Sequence, residues 1–302
     1  ILAEHHQSLW QILPLNPAGY GDSPYQGLSA FAANPVFLSP EHLHGLGLLA
    51  DRQLAAQRLP LRREVDYGEV YGKKAELSRS AQVAFFRLEP GHPLHQAYAA
   101  VLEKEVGWLE DFAVYSALKD RFDGVAWTDW PEPYRDREPA ALDAAAAEFA
   151  GEIERTKLEQ FFLHLQWAEV KGRAGQLGIR IVGDLPIFVA HDSVDVWCQR
   201  ELFRLNPDGS PSVIAGVPPD YFSKTGQLWG NPLYNWARHR EDGFAWWRRR
   251  LRKILSWVDV VRIDHFRGFE AFWEVPGGAE TAADGTWVKA PGREVFDAFV
   301  ED

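Results

Sequence analysis

Two aspartates stand near the ends of apolar runs, and one of them has an arginine two positions before it. In residues 258–264 the side chains of Arg262 and Asp264 fall on the same side of an extended segment, because strand side chains alternate with a period of two. A guanidinium so placed holds the carboxylate ionised and acceptor-only, which makes Asp264 a candidate nucleophile and Arg262 its partner. A purely structural Arg/Asp ion pair explains the tetrapeptide taken alone at least as well. Asp184 closes the other run, within residues 179–188. His265, beside Asp264, adds a neutral donor for a hydroxyl group. The sequence holds 13 tryptophans, roughly threefold ordinary usage, and aromatic faces suit the apolar faces of pyranose rings. Glycoside chemistry needs such groups: one carboxylate attacks the anomeric carbon or stabilises positive charge, and another stays protonated to release the leaving oxygen. Most of the tryptophans are expected in the core, Trp246 and Trp247 among them.

The elements that must position these residues read as alternating strands and helices. Residues 10–15 form a short apolar run closed by Pro14, and the turn-rich residues 16–22 follow as a long loop. Residues 95–125 and 138–177 have helical composition, and the turn segment 126–133 between them carries Trp127 and Trp130, expected to cap a helical subdomain. The nearly continuous apolar run 179–188 is that of a strand buried on both faces in a parallel sheet. A helix capped by Asp192 or Ser193 comes next, then a Gly/Pro-rich excursion over 205–236 that is too long for a plain connector. An amphipathic helix over 244–255 leads into the strand 258–264. Strand, excursion, helix, strand is by default a right-handed βαβ unit, and carboxylates at the C-terminal ends of parallel barrel strands are where that architecture places its chemistry. The expected division is 1–40 for a barrel strand and substrate loop, 41–177 for a mainly helical insertion plus barrel helices, and 178–302 for the strands with Asp184 and Asp264. Pro24, Pro35, Pro186 and Pro219 set turns.

A formal net charge of -11 repels phosphate backbones and anionic lipid heads, so neither nucleic acid nor a membrane is an expected partner. The basic run 248–253 is assigned to the last turns of a helix, where cations favour the dipole. The single Cys198 permits no intrachain disulfide and fits a reducing, cytoplasmic setting. No stretch approaches the roughly 18 apolar residues of a membrane helix, and residues 1–10 lack an export signal. Without any methionine, the sequence is expected to be part of a longer polypeptide. Oligomeric state is not legible.

Five ordered motifs carry a resemblance: LPLNPAGYGDSPYQ (13–26), GDLPIFV (183–189), GVPPDYFS (216–223), QLWGNPLY (227–234) and RIDHFRGF (262–269). In these the chain resembles the amylomaltases, 4-α-glucanotransferases of glycoside hydrolase family 77. The resemblance implies an α/β fold, an α-amylase-like (β/α)8 TIM barrel with inserted helical subdomains, incomplete in these residues. It implies that Asp264 forms a covalent β-glucosyl intermediate with Arg262 as partner, and that Asp184 and His265 hold the sugar in the cleavage subsite. Tyr25 is similar to the tyrosine set against that sugar, with Asp22, Ser23 and Gln26 beside it. Tyr221, Phe222 and Trp229 belong to a loop that closes on glucan and excludes water, Asn231 stands in the same motif set, and Tyr20 resembles a tyrosine of a second glucan site.

The implied reaction passes a segment of maltooligosaccharide, amylose, starch or glycogen to the 4-hydroxyl of another glucan, or to its own end as a cycloamylose. No metal or organic cofactor is implied. The general acid/base glutamate of the family, on its next barrel strand, and a further aspartate that assists the distorted sugar have no counterpart in residues 1–302. Glu301 and Asp302 read as the solvated end of an amphipathic stretch, 293–300. The alternatives are a retaining α-amylase-like hydrolase and, for this chain alone, a catalytically inactive glucan-binding module.

Overall fold

The strand alternation read from the sequence builds two sheets in the computed structural model, which describes residues 1–301 apart from the side chain of Tyr20. The Tyr20 ring and Asp302 therefore lie outside the described residues. The strands are β1 (Leu9–Gln11), β2 (Arg180–Leu185), β3 (Val213–Val217), β4 (Gln227–Pro232), β5 (Val260–Ile263), β6 (Ala271–Pro276) and β7 (Thr286–Lys289).

The first sheet is parallel, in the order β1-β2-β5. β2 is the middle strand, and its last three residues are buried, as its apolar run requires. Asp184 and Arg262 face each other as register partners. One further bond, from the Asp264 amide to the Leu185 carbonyl at 3.0 Å, extends the ladder past β5 and fixes Asp264 at the strand end. Gly183 is the residue that lets the sheet close on its neighbour: a Cβ there would sit 2.8 Å from Val258 Cγ1.

The second sheet is antiparallel, in the order β4-β3-β6-β7. Two of its strands, β3 and β4, lie inside the Gly/Pro-rich excursion expected over 205–236, which is thus longer than a plain connector because it holds a hairpin. β3 and β4 form a hairpin, with an irregularity between Ile214 and Gly216, and β3 also pairs with β6. The prolines that suggested a loop fall outside the ladder's interior: Pro218 and Pro219 lie past β3, and Pro232 is the last residue of β4.

The helix expected over 244–255 spans Ala245–Trp257, with Trp246 and Trp247 buried as read. The basic run, however, sits in its middle, and Arg250 is 4% exposed. Placing the whole run at a solvated helix end was wrong for that residue. Arg250 stands four and three positions after Trp246 and Trp247, on the face that packs inward.

Two compact units divide the chain: Ile1–Phe31 with Val125–Asp136 and Ala174–Asp302, and Ala32–Gly124 with Arg137–Arg173. The second is helical, with a core of Leu38, Leu43, Leu77, Phe85, Phe161 and Phe162, where the Phe85 ring meets those of Phe161 and Phe162 edge-on. Trp127 and Trp130, expected to cap the helical segment, are buried in the first unit. The Trp127 indole donates to the His191 carbonyl at 2.8 Å, and Trp130 packs on Trp197. Among the described residues no helix is long and apolar enough to cross a membrane.

Candidate active site

The site is assembled at the C-terminal ends of β2 and β5, all within the first unit. Arg262 projects between two carboxylates: Nη1 donates to Asp184 Oδ1 and Nη2 to Asp264 Oδ1, each at 2.6 Å. The Tyr25 hydroxyl donates to the other oxygen of Asp184, Oδ2, at 2.8 Å. A continuous line of hydrogen bonds therefore runs Tyr25, Asp184, Arg262, Asp264. The Asp184 side chain is 2% exposed and those of Asp264 and Arg262 are 37% and 45% exposed, so the line passes from the interior to the surface. Among the described residues Asp264 is engaged only through Oδ1. Its second oxygen keeps its lone pairs for an electrophile.

The charges tune their neighbours. Burial, first, then the hydrogen bond to Asp184 and the negative charges of Asp184 and Asp264 push the Tyr25 phenol up to about 12. Hydrogen bonds to Asp264 and then Asp184 hold the Arg262 guanidinium more firmly protonated than usual. His265 is moved the other way, below the ordinary imidazole range: burial dominates, Asp264 opposes it and Arg267 adds to it. A neutral imidazole that donates one hydrogen bond and accepts another is the form suited to a sugar hydroxyl.

His265 occupies the left-handed region at φ 49°, where the chain turns sharply after β5. Its ring stands edge-on to Trp229, with centroids 4.8 Å apart. Gly268 makes room for this turn, since a Cβ there would lie 2.7 Å from Ile187 Cδ1 and 3.1 Å from His265 Cδ2.

A cleft of 370 Å³ opens over Asp264, lined by Tyr25, Gln26, Pro186, Ile187, Phe188, Leu228, Trp229, Asn231, Asp264 and His265. Sequence reading had singled out six of these: Tyr25, Gln26, Trp229, Asn231, Asp264 and His265. Ile187, Phe188 and Leu228 had no role assigned. The signal was present for Ile187 and Phe188, which follow a strand-end carboxylate by way of a proline, but apolar residues there also read as ordinary core.

Asp184 and Arg262 lie behind Asp264 and do not line the cleft, and neither do Asp22, Ser23, Tyr221 and Phe222. The Ser23 hydroxyl accepts from the Tyr25 amide at 3.3 Å and the Ser23 carbonyl from the Gln26 amide at 3.1 Å, so Ser23 shapes the turn that presents Tyr25. Asp22 is in the same turn, left-handed at φ 53°. Tyr221 and Phe222 stand 96% and 92% exposed at the tip of the β3–β4 hairpin, where Asp220 Oδ1 accepts from the Phe222 and Ser223 amides at 2.8 Å each. Asn231 lines the cleft, yet is 5% exposed and spends its amide nitrogen on the Val189 carbonyl at 2.8 Å.

Comparison with known proteins points one way. A family model for glycoside hydrolase family 77, described as 4-alpha-glucanotransferase, matches residues 1–302. The 4-alpha-glucanotransferase of Thermus thermophilus is 47% identical over 97% of this chain and 57% of its own length. A chloroplastic/amyloplastic 4-alpha-glucanotransferase of Solanum tuberosum is 40% identical over 97% of this chain and 51% of its own. The chain thus spans between half and three fifths of these relatives. The solved amylomaltase of Streptococcus agalactiae in complex with acarbose superposes with a TM-score of 0.93 at 38% identity, covering 99% of this chain and 60% of that one. An amylomaltase from Corynebacterium glutamicum, at 20% identity, TM-score 0.79, and coverage of 99% and 41%, is alike in fold. The mixed α/β architecture is that of the α-amylase-like barrel family expected from the sequence.

Proposed function

The chain belongs to glycoside hydrolase family 77, the 4-α-glucanotransferases, and from that premise we propose that it carries the nucleophile and donor-sugar contacts of a retaining transfer between α-1,4-glucans. The observation that supports this most is the single guanidinium of Arg262 shared by buried Asp184 and by Asp264, which lines an aromatic cleft.

In this reading Asp264 attacks the anomeric carbon of the donor, the α-1,4 bond breaks, and a β-glucosyl ester forms. The departing 4-oxygen takes a proton from a general acid that is assigned to no residue of this sequence. Attack by the 4-hydroxyl of an acceptor glucan, whose proton returns to that same acid now acting as base, then restores the α configuration and frees the carboxylate. Asp184 and His265 hold hydroxyls of the donor sugar, and Tyr25 lies against its ring. Tyr221, Phe222 and Trp229 close over the donor and keep water from the ester, so transfer outruns hydrolysis. Gln26 and Asn231 line the donor subsite, Asp22 and Ser23 shape the turn that presents Tyr25 to it, and Tyr20 belongs to a second glucan site. Substrates are maltooligosaccharides, amylose, starch or glycogen, in a reducing, cytoplasmic setting in keeping with the single cysteine.

The test is incubation of the full-length protein with maltotriose. Chain lengths redistributing at constant reducing ends is the expected result, and none of it with Asp264→Asn. Reducing ends rising with time favour hydrolysis instead, and acarbose binding without turnover favours a glucan-binding module.

A further inference from the structure

Beyond Leu185 the chain leaves β2, and three of its next four carbonyls are taken by side chains from elsewhere in the sequence. Arg250 donates from Nη2 to the Pro186 carbonyl at 2.6 Å and from Nη1 to that of Ile187 at 3.2 Å. The Tyr234 hydroxyl donates to the Ile187 carbonyl at 2.7 Å, and Asn231 to that of Val189. On the segment that carries Tyr25, Asp195 Oδ2 accepts from the Ala30 amide at 2.7 Å, while its Oδ1 accepts from the Trp246 indole at 3.3 Å. Asp195 and Arg250 are both 4% exposed and attract one another, and the guanidinium lies 5.2 Å and 5.1 Å from the ring centres of Trp246 and Trp247.

Burying two opposite charges is costly, and an apolar pair of similar volume often serves stability as well or better. What apolar residues cannot do is hold carbonyls and amides of a segment outside any ladder, which must find partners when buried. Resting on the functional reading above, we infer that Arg250, Tyr234 and Asp195 form a buried clamp of positioning residues that fixes the Asp184 strand end and the Tyr25 segment at the spacing transfer requires. Pro186 and Ile187 line the same cleft as Tyr25 and Asp264. Any slip of the strand end carries Asp184 with it, and through Arg262 disturbs Asp264. A misplacement of about 1 Å from a distant change is enough to lower a rate by roughly a hundredfold.

Two substitutions in the full-length protein test this. Arg250→Lys keeps the charge and loses the fork that spans two carbonyls. Tyr234→Phe removes one hydroxyl and keeps the ring. In maltotriose transfer, measured well below each melting transition, kcat is expected to fall about tenfold or more for Arg250→Lys and about threefold or more for Tyr234→Phe, with KM nearly unchanged. Acarbose affinity, measured by calorimetry, is expected to weaken in step. A kcat and an acarbose affinity within twofold of the parent overturn the clamp, as does a loss matched by the unfolded fraction. If Arg250→Lys does not fold, Tyr234→Phe decides alone. The two readings fail differently: full activity in Asp264→Asn sinks the functional reading, whereas an inactive Asp264→Asn beside fully active clamp variants sinks only the clamp.

Discussion

Asp184 and Arg262 are register partners on neighbouring parallel strands, and their side chains meet at 2.6 Å. The same guanidinium also holds Asp264, so one cation fixes the orientation of both carboxylates. Arg262→Leu removes it, and Asp264 loses its orientation. The expected result is a kcat for maltotriose disproportionation lower by about 10²–10³, measured below the melting transition. The melting temperature should fall as well, since Asp184 is 2% exposed and a buried carboxylate left without its cation is destabilising. A kcat close to that of the parent would contradict the shared-cation account.

Tyr25 is tied to this pair by its hydroxyl, and its phenol is pushed up to about 12 by burial, the Asp184 hydrogen bond and two nearby negative charges. It therefore stays a proton donor through the whole range in which transfer is measurable. The sign follows from linkage: the folded value lies above the ordinary phenol value of 10.0, so the stability Tyr25 contributes is complete below pH 10 and is lost as pH rises toward 12. Ultraviolet difference titration of the protein against Tyr25→Phe should show one phenol ionising well above the ordinary range. A difference transition near pH 10 would contradict the shift.

How much of this was legible beforehand depended on the range of the interaction. β2 and β5 announce themselves as short apolar runs, and period-2 alternation puts Arg262 beside Asp264, so the heart of the site is local information. The second sheet is not local: β3 pairs with β6 nearly sixty residues later, and Gly/Pro-rich composition hides the β3–β4 hairpin. Arg250 was missed for another reason. Its neighbours in sequence are basic, and only its spacing from Trp246 and Trp247 on one helix face shows that it turns inward.

The hairpin tip offers a clean separation of stability from function. Tyr221 and Phe222 are almost fully exposed, so replacing both by alanine removes no core packing, and the melting temperature should stay within about a degree. If they close over the donor, water reaches the glucosyl ester more freely in the double variant. The ratio of hydrolysis to transfer, followed as reducing ends released per chain-length redistribution, should rise several-fold. An unchanged ratio would remove both residues from the closing surface.

His239 governs the acid side of stability. It lies in the helix Trp236–Glu241, fully buried against the rings of Tyr234, Trp236 and Trp246. Burial is the main cause that lowers its imidazole to about 4, with Asp242 opposing. The folded value lies below the ordinary 6.5, so the unfolded chain takes up the proton first. The stability tied to this group is therefore complete above pH 6.5 and is lost as pH falls toward 4, to a limit of about 3 kcal/mol. His191 and His265 are lowered in the same direction by burial and add to the loss. Thermal melting at pH 7 and pH 4.5 should therefore differ more for the parent than for His239→Phe, which keeps an aromatic ring and has nothing to protonate. Carboxylates contribute equally to both proteins, so an identical drop in the two would take His239 out of the account.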